Sequence, residues 1–587
     1  MSSLLPARAG LVRRLPIAAA LVGAAVSAQA QAPTNWQASP SSAANWFDGT
    51  HWSAGVPSTS HTAIVDNGGT TEIAGGTAEA DGVRLGMSNS GHLLQTGGSL
   101  DIDDGHLTIA QGVGSLGSYT MQDGSLTIYR GFNLGLQGSG QFDQNGGQVT
   151  LTDQAMRFGN TASGIGIYNL RAGSFRVLRE LSIGGRGTGA LVQSGGTSEI
   201  ATLRMAELED SHAQYVLEQG TLTTTTSVVG LFGHAEFIHS GGTHTADRLT
   251  MGQDGGAPQS ARYVLSGVGA ELTARIELIG DFAGAAFEQS AGTNRVTGFL
   301  RVGSGAGHTA SYSLSGGALT APEESLGING VGNFIQSGGT NTVSADLHVG
   351  YGSSVTASSG RYELSAGSLE VGGNEYVGYR AGHGGVGYFE QIGGTHSITG
   401  DLIIADDDAG LGEFRIENGS LAVGGNLVLG DANRSVKRFS VVGGLSQIDV
   451  EGSFSMGPAL ATRPETTAVI ESIIDQTGLS TITLGGSAML DGRLRVEFSG
   501  GFIPALGQQF VVLTAEEGVA GSLALIGHNA DIFDLQITPN AVILVSLVPE
   551  PSAVVLGGSG LAAMLLVAYR RRSRRGRRLN NVGLPSP

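Results

Sequence analysis

A Gly-centred phrase returns along most of this chain at intervals of 22 to 28 residues, and no other feature restricts the possible fold as strongly. Segments 312–318, 334–340 and 362–368 are examples: an aromatic residue, an apolar or Gln residue two places on, a Gly-containing turn, then a strand-like run. Taking the last turn glycine as anchor gives Gly98, Gly124, Gly147, Gly173, Gly196, Gly220, Gly242, Gly269, Gly292, Gly317, Gly339, Gly367, Gly394, Gly419 and Gly444, with a mean spacing near 25. A second landmark, an apolar residue followed by Gly or Ala, falls between anchors, as in Leu85-Gly86, Ile109-Ala110, Leu134-Gly135 and Val302-Gly303. No unit carries a 3.6-residue apolar pattern long enough for a helix. One such unit cannot bury its apolar side. Stacked units can, by pairing each short strand with its equivalent one turn along at ~4.8 Å. The spacing therefore predicts an all-β fold, a parallel β-helix (solenoid) of about 15 rungs of about 25 residues.

Composition agrees. Gly supplies 97 of 587 positions, far above the usual ~7%, while the hydrophobic fraction of 40% is too high for a disordered glycine linker. Pro removes a ladder donor, and only Pro258 and Pro322 fall between Ser58 and Gly457. Cys is absent, which excludes disulfides, thiolate zinc sites and cysteine nucleophiles. The net charge is -18, and without the Arg residues at the two ends the central region is near -27. A body this acidic disfavours nucleic acid as a partner.

Within the repeats, Phe/Leu-x-Gln units such as Phe142-Asp143-Gln144 and Phe389-Glu390-Gln391 alternate with Tyr-x-Leu units such as Tyr168-Asn169-Leu170. Residues two apart share a face, so Gln replaces an inward Leu and is expected to bond to turn backbone. The three Trp, Trp36, Trp46 and Trp52, precede the repeats and are expected to cover the open end of the solenoid. Longer apolar strands after Arg463 are expected to form a closing β cap. Two G-x-G-x-x-G matches, at Gly112 and Gly382, equal the chance expectation for so much Gly, and neither opens a helix. Scattered His shows no ligand spacing, and Asp101/Asp103/Asp104 and Asp406/Asp407/Asp408 read as solvated acidic turns rather than calcium sites. No catalytic, cofactor-binding or metal-binding residue is assigned, and no cofactor.

The ends read as address labels. A basic stretch ends at Arg14, an apolar run covers 15–26, and small residues at Ala30 and Ala32 suit a signal peptidase, which makes 1–32 a secretory signal peptide. At the other end, Pro549, Glu550 and Pro551 precede a mostly apolar run over 552–569 and then an Arg cluster over 570–578. At 1.5 Å per residue that run is just long enough for a single transmembrane helix, and the Arg cluster holds its far end in the cytoplasm. This tail resembles that of the PEP-CTERM family of exported bacterial proteins, in which a Pro-Glu-Pro motif, a transmembrane helix and an Arg-rich end follow in that order. The resemblance implies Pro549, Glu550 and Pro551 as a sorting motif, an exosortase-type membrane enzyme as partner, and an association with exopolysaccharide and biofilm. The central region also resembles the β-helical passenger domains of autotransporters, although no membrane barrel follows it.

The expected organisation is a signal peptide at 1–32, an N-terminal cap at 33–84, repeats at 85–462, a C-terminal β cap at 463–547, and a sorting signal with its membrane helix at 548–587. The expected function is a non-catalytic surface or extracellular-matrix protein. It would be exported across the inner membrane, held transiently by the C-terminal helix, and bound to exopolysaccharide or a cell-surface glycan. The alternative is a polysaccharide lyase or glycosidase on the same fold, which would concentrate carboxylates or a carboxylate and Arg on one face.

Overall fold

Strict alternation of side chains decides the architecture. In Ser139–Gln144 the residues Gly140, Phe142 and Gln144 are buried, while Ser139, Gln141 and Asp143 face outward. The computed structural model describes residues 32–40, 42–253, 261–352, 358–379, 385–406, 411–430, 436–457 and 467–547. It is a parallel β-solenoid of about 17 turns with almost no helix. A representative coil contains the strands Ser139–Gln144, Gln148–Leu151 and Met156–Phe158, and Ile165–Leu170 opens the next. Equivalent strands pair parallel and in register, so Phe142 lies between Tyr119 and Tyr168. Three stacks of strands result, here called the aromatic ladder, the hydroxyl ladder and the third ladder, in the order of the three strands just given.

The anchors mark the corner between the aromatic and hydroxyl ladders. All of them except Gly269 and Gly444 have φ between 66° and 96°; in the rung of Gly444 the left-handed residue is Gly443. From Gly124 to Gly419 each left-handed anchor except Gly292 stacks on the previous one, and a Cβ on Gly173 would sit 2.2 Å from the carbonyl oxygen of Gly147. Rungs ~4.8 Å apart leave no room for that methyl. Gly173→Ala is therefore expected to cost about 2–4 kcal/mol, from left-handed strain together with overpacking. A denaturant series on the variant measures it, and a loss below about 1 kcal/mol would show that the corner is looser than its geometry.

The ends differ from the expected boundaries. Among the described residues parallel pairing is already present at Ala32, ahead of 85: Ala32–Asn35 pairs parallel with His61–Val65, and Ala43–Asn45 with Thr70–Ile73. This first coil has no Gly-Gly anchor and carries the 3-10 turn Gly49–His51, so the period is invisible there in the sequence. Trp36, Trp46 and Trp52 are buried in this coil with their rings edge to face, and Trp52 Nε1 donates to the Trp46 carbonyl. None of them offers a face to a sugar. At the far end, Val469–Ile474, Ala488–Phe498 and Val519–Ile526 continue as parallel rungs. Among the described residues, closure comes from Ala541–Ser546, which turns antiparallel onto Gln509–Ala515, and from Phe533–Ile537, which pairs antiparallel with Ala541–Ser546. The rungs gained at both ends account for the longer solenoid.

Inside, the aromatic ladder stacks ring on ring from Tyr215 through Phe237, Tyr263, Phe287, Tyr312, Phe334, Tyr362, Phe389 and Phe414 to Phe439, at centroid separations of 4.6 to 5.5 Å. Outside, Arg residues bridge neighbouring rungs, as in Arg171–Asp143, Arg176–Glu199, Arg275–Asp247 and Arg361–Glu390.

Candidate binding groove and the buried polar columns

The outward side of the aromatic ladder is concave between Thr188 and Arg262, where small residues give a groove of about 390 Å³. Parallel register places Gln214, Glu236, Arg262 and Ala286 in one outward column. Gln214 Nε2 donates to Glu236 Oε2 at 3.1 Å, Arg262 bonds Glu236, and its Nε and Nη2 grip both oxygens of Glu288 at 2.9 and 2.7 Å. Those bonds hold the Glu288 carboxyl below its ordinary range. Beside this column the His212 and His234 rings lie 5.3 Å apart on adjacent rungs. The groove offers imidazole edges and an ion-paired polar ladder, an arrangement suited to hydrogen bonding rather than proton transfer, because its carboxylates are tied to Arg262.

A second set of polar groups is buried. Gln144, Gln193, Gln289, Gln336 and Gln391 point inward, and each Nε2 bonds two backbone carbonyls, one at its own anchor and one a rung along: Gln289 reaches Gly292 at 3.2 Å and Ala318 at 2.9 Å. This is the structural role expected for Gln. The alternation has a further cause that the sequence did not disclose. The Tyr of the next rung donates its hydroxyl to the Gln Oε1: Tyr168 to Gln144 and Tyr215 to Gln193 at 2.6 Å, Tyr312 to Gln289 and Tyr362 to Gln336 at 2.5 Å. Gln and Tyr must therefore sit on successive rungs. Gln391 lacks this donor because Phe414 occupies the Tyr place, and Gln391 Oε1 is buried without a partner among the described residues. Phe414→Tyr is expected to stabilise the protein by about 1 kcal/mol, read as a raised denaturation midpoint; a lowered one would mean that no room exists for the hydroxyl.

The column continues into titratable groups. Asn294 Nδ2 donates to Glu277 Oε2 at 3.1 Å and lies 3.2 Å from the Tyr312 hydroxyl; Asn341 does the same with Glu324 at 3.0 Å and Tyr362 at 3.2 Å. His396 Nε2 lies 2.8 Å from Glu375 Oε2. Burial pushes Glu277 and Glu324 up to about 7. Among the described residues Glu277 Oε1 and Asn294 Oδ1 both lack a donor, as do Glu324 Oε1 and Asn341 Oδ1, and a proton on each acid supplies one. One coil group nearer the N-terminus, His239 Nε2 donates to the Gly242 carbonyl, so its Nδ1 accepts from Tyr263. His244 Nδ1 then donates to the Tyr263 oxygen and its Nε2 accepts from Ser227. Desolvation lowers His239 to about 4 and His244 to about 3.

Among the residues singled out in the sequence, Ala32 heads the first strand, while Ala30, Pro549, Glu550, Pro551 and the 552–569 run lie outside the described residues. Asp101 faces outward from Ser99–Ile102, and Asp104 is ion-paired to Arg130, which makes that cluster a partly neutralised corner. Asp406 is described; Asp407 and Asp408 are not. No group of three or more His, Asp or Glu among the described residues could hold a metal, and no helix among them is long and apolar enough to cross a membrane. The sequence reading missed the groove and the buried acids. The available signal for the acids was Glu277, Glu324 and Glu375 at inward places where neighbouring rungs have Leu249, Leu300, Leu347 and Leu402. Comparison with protein-family models, curated proteins and solved structures finds no match for the chain.

Proposed function

We propose that the protein is an exported, non-catalytic surface or matrix rod that associates with polysaccharide, delivered by its N-terminal signal and sorted through Pro549, Glu550 and Pro551 by an exosortase-type enzyme at the membrane. The observation that carries the reading is the outward edge of the hydroxyl ladder. Register aligns Ser99, Ser125, Ser174, Thr197, Thr221, Thr243, Thr293, Thr340, Ser368, Thr395 and Ser420 in one column, broken by Gln148, Glu271 and Ala318. Hydroxyls repeating at the rung spacing suit a polymer that repeats its own hydroxyls, whereas an enzyme concentrates its chemistry in one constellation. Replacing Thr221, Thr243 and Thr340 together by Val is expected to weaken retention on immobilised exopolysaccharide while leaving the fold intact. Retention unchanged in that variant, or none in the parent, would remove the support.

Export is tested separately: peptides from 15–26 recovered from extracellular material would oppose it. The groove with Glu236, Arg262 and Glu288 is what favours the alternative, a polysaccharide lyase or glycosidase. Turnover of pectate or alginate that disappears in Arg262→Ala would establish that reading in place of the first.

A further inference from the structure

A second concavity, of about 480 Å³, lies on the outer side of the third ladder near its start. Register sets Arg84, Thr108 and Asn133 side by side on three consecutive rungs across its floor. Asp81 and His106 stand at the corner that precedes these strands, and Gln111 at the corner that follows.

Two groups here are unexplained by the fold. Asp81 is only 3% exposed, yet Oδ1 has no hydrogen-bond partner among the described residues, and Oδ2 has only Thr62 Oγ1 at 3.4 Å. A buried carboxylate oxygen left without a donor is costly and uncommon. Arg84 is the second. Among the described residues it makes no ion pair, as is also true of Arg157, Arg186, Arg295 and Arg493, whereas Arg130, Arg171, Arg176, Arg262 and Arg275 each hold a carboxylate one rung away. An unused acceptor and an unused fork of donors thus share one polar cleft.

We propose that this cleft binds a sugar residue bearing a carboxylate, a uronic acid unit of a polysaccharide; the assignment rests on the polysaccharide reading above and names its substrate class. The Asp81 carboxylate accepts a ring hydroxyl, and Arg84 takes the sugar carboxylate through two parallel N–H groups. Asn133 Oδ1 is occupied by Asn160 Nδ2 at 3.2 Å, which leaves its Nδ2 to donate to the ligand together with Gln111. A bare inorganic anion satisfies Arg84 but brings like charge against Asp81, whereas a uronate presents a hydroxyl and a carboxylate from different edges of one ring. No bond is made or broken.

The test is calorimetric titration of the full chain with trigalacturonate, with the neutral cellotriose, and with sulfate. Trigalacturonate is expected to bind, with affinity reduced about tenfold or more in Arg84→Ala and in Asp81→Asn, a loss of the size set by one charge-assisted contact. Arg275→Ala, outside the cleft, is expected to bind like the parent, and thermal melts of all variants report folding. Equal affinity for cellotriose, binding unchanged by Arg84→Ala, or an Asp81→Asn variant altered only in its melt would overturn the assignment. So would sulfate binding that saturates the cleft and excludes the sugar. If the parent binds polysaccharide only through the Thr221, Thr243 and Thr340 column, the cleft falls and the wider reading stands. If the parent binds no polysaccharide, the wider reading falls as well.

Discussion

Converting Glu277 and Glu324 to Gln is expected to stabilise the protein at pH 8 and to change little at pH 4. Each acid is fully buried with its folded-state value raised from 4.5 to about 7, so the folded chain keeps a proton that the unfolded chain releases first. The stabilisation from that proton is complete below 4.5 and is lost as pH rises to about 7. At about 1.4 kcal/mol per unit, the loss approaches ~3 kcal/mol per acid. Gln carries the donor that the protonated acid supplies to Asn294 or Asn341, and it carries it at every pH. The histidines act in the opposite sense. Held neutral at about 4 and about 3 rather than 6.5, His239 and His244 contribute stability that is present above 6.5 and lost as pH falls through those values. Between 4.5 and 6.5 the two pairs offset one another, so the parent profile is flatter than either contribution. Hydrogen exchange in Glu271–Ile279 and Glu323–Leu326 across this range, variant against parent, isolates the acids because surface groups cancel in the difference. A difference that does not grow with pH would mean that the acids are ionised in the fold.

Phe334→Ala is expected to cost about 3–5 kcal/mol and to divide the rod. The ring sits between Tyr312 at 4.9 Å and Tyr362 at 4.6 Å and is fully buried. Rungs contact mainly their neighbours, so the lost energy is confined to the interfaces on either side rather than spread through the chain. Denaturation is then expected to separate into two transitions, with protease cutting first within Val331–Val343. Phe439→Ala, at the end of the ring stack with its neighbour 5.5 Å away, is expected to cost less and to leave a single transition. A one-step melt for Phe334→Ala would show that stability is shared over many more rungs than this picture allows.

The repeat was readable because its cause is local. A Gly that must turn left-handed beneath the carbonyl of the previous anchor cannot drift, so the anchors stand out at one spacing and the parallel fold follows. The ends were misplaced for the converse reason. Ala43–Asn45 and Val519–Ile526 pair as rungs without any Gly-Gly anchor, and only a neighbouring strand identifies them as part of the solenoid. The inward Gln was legible from two-residue alternation; its Tyr partner was not, since 22 to 26 residues separate the two along the chain.

The same division holds for the chemistry. Sequence alone determined the period, the two or three short strands of each unit, the absence of cysteine chemistry and the acidic charge of the body, because each depends on residue identity and spacing within one coil. Tertiary structure decided which charges are spent and which are free. Arg262 and Arg84 are indistinguishable as letters, yet one is bound between Glu236 and Glu288 and the other makes no ion pair among the described residues. It also decided that Glu277 and Glu324 lie in the interior, where desolvation holds their protons. Both outcomes arise from contacts between rungs, and a contact formed one turn of solenoid away has no signature in the residues beside it.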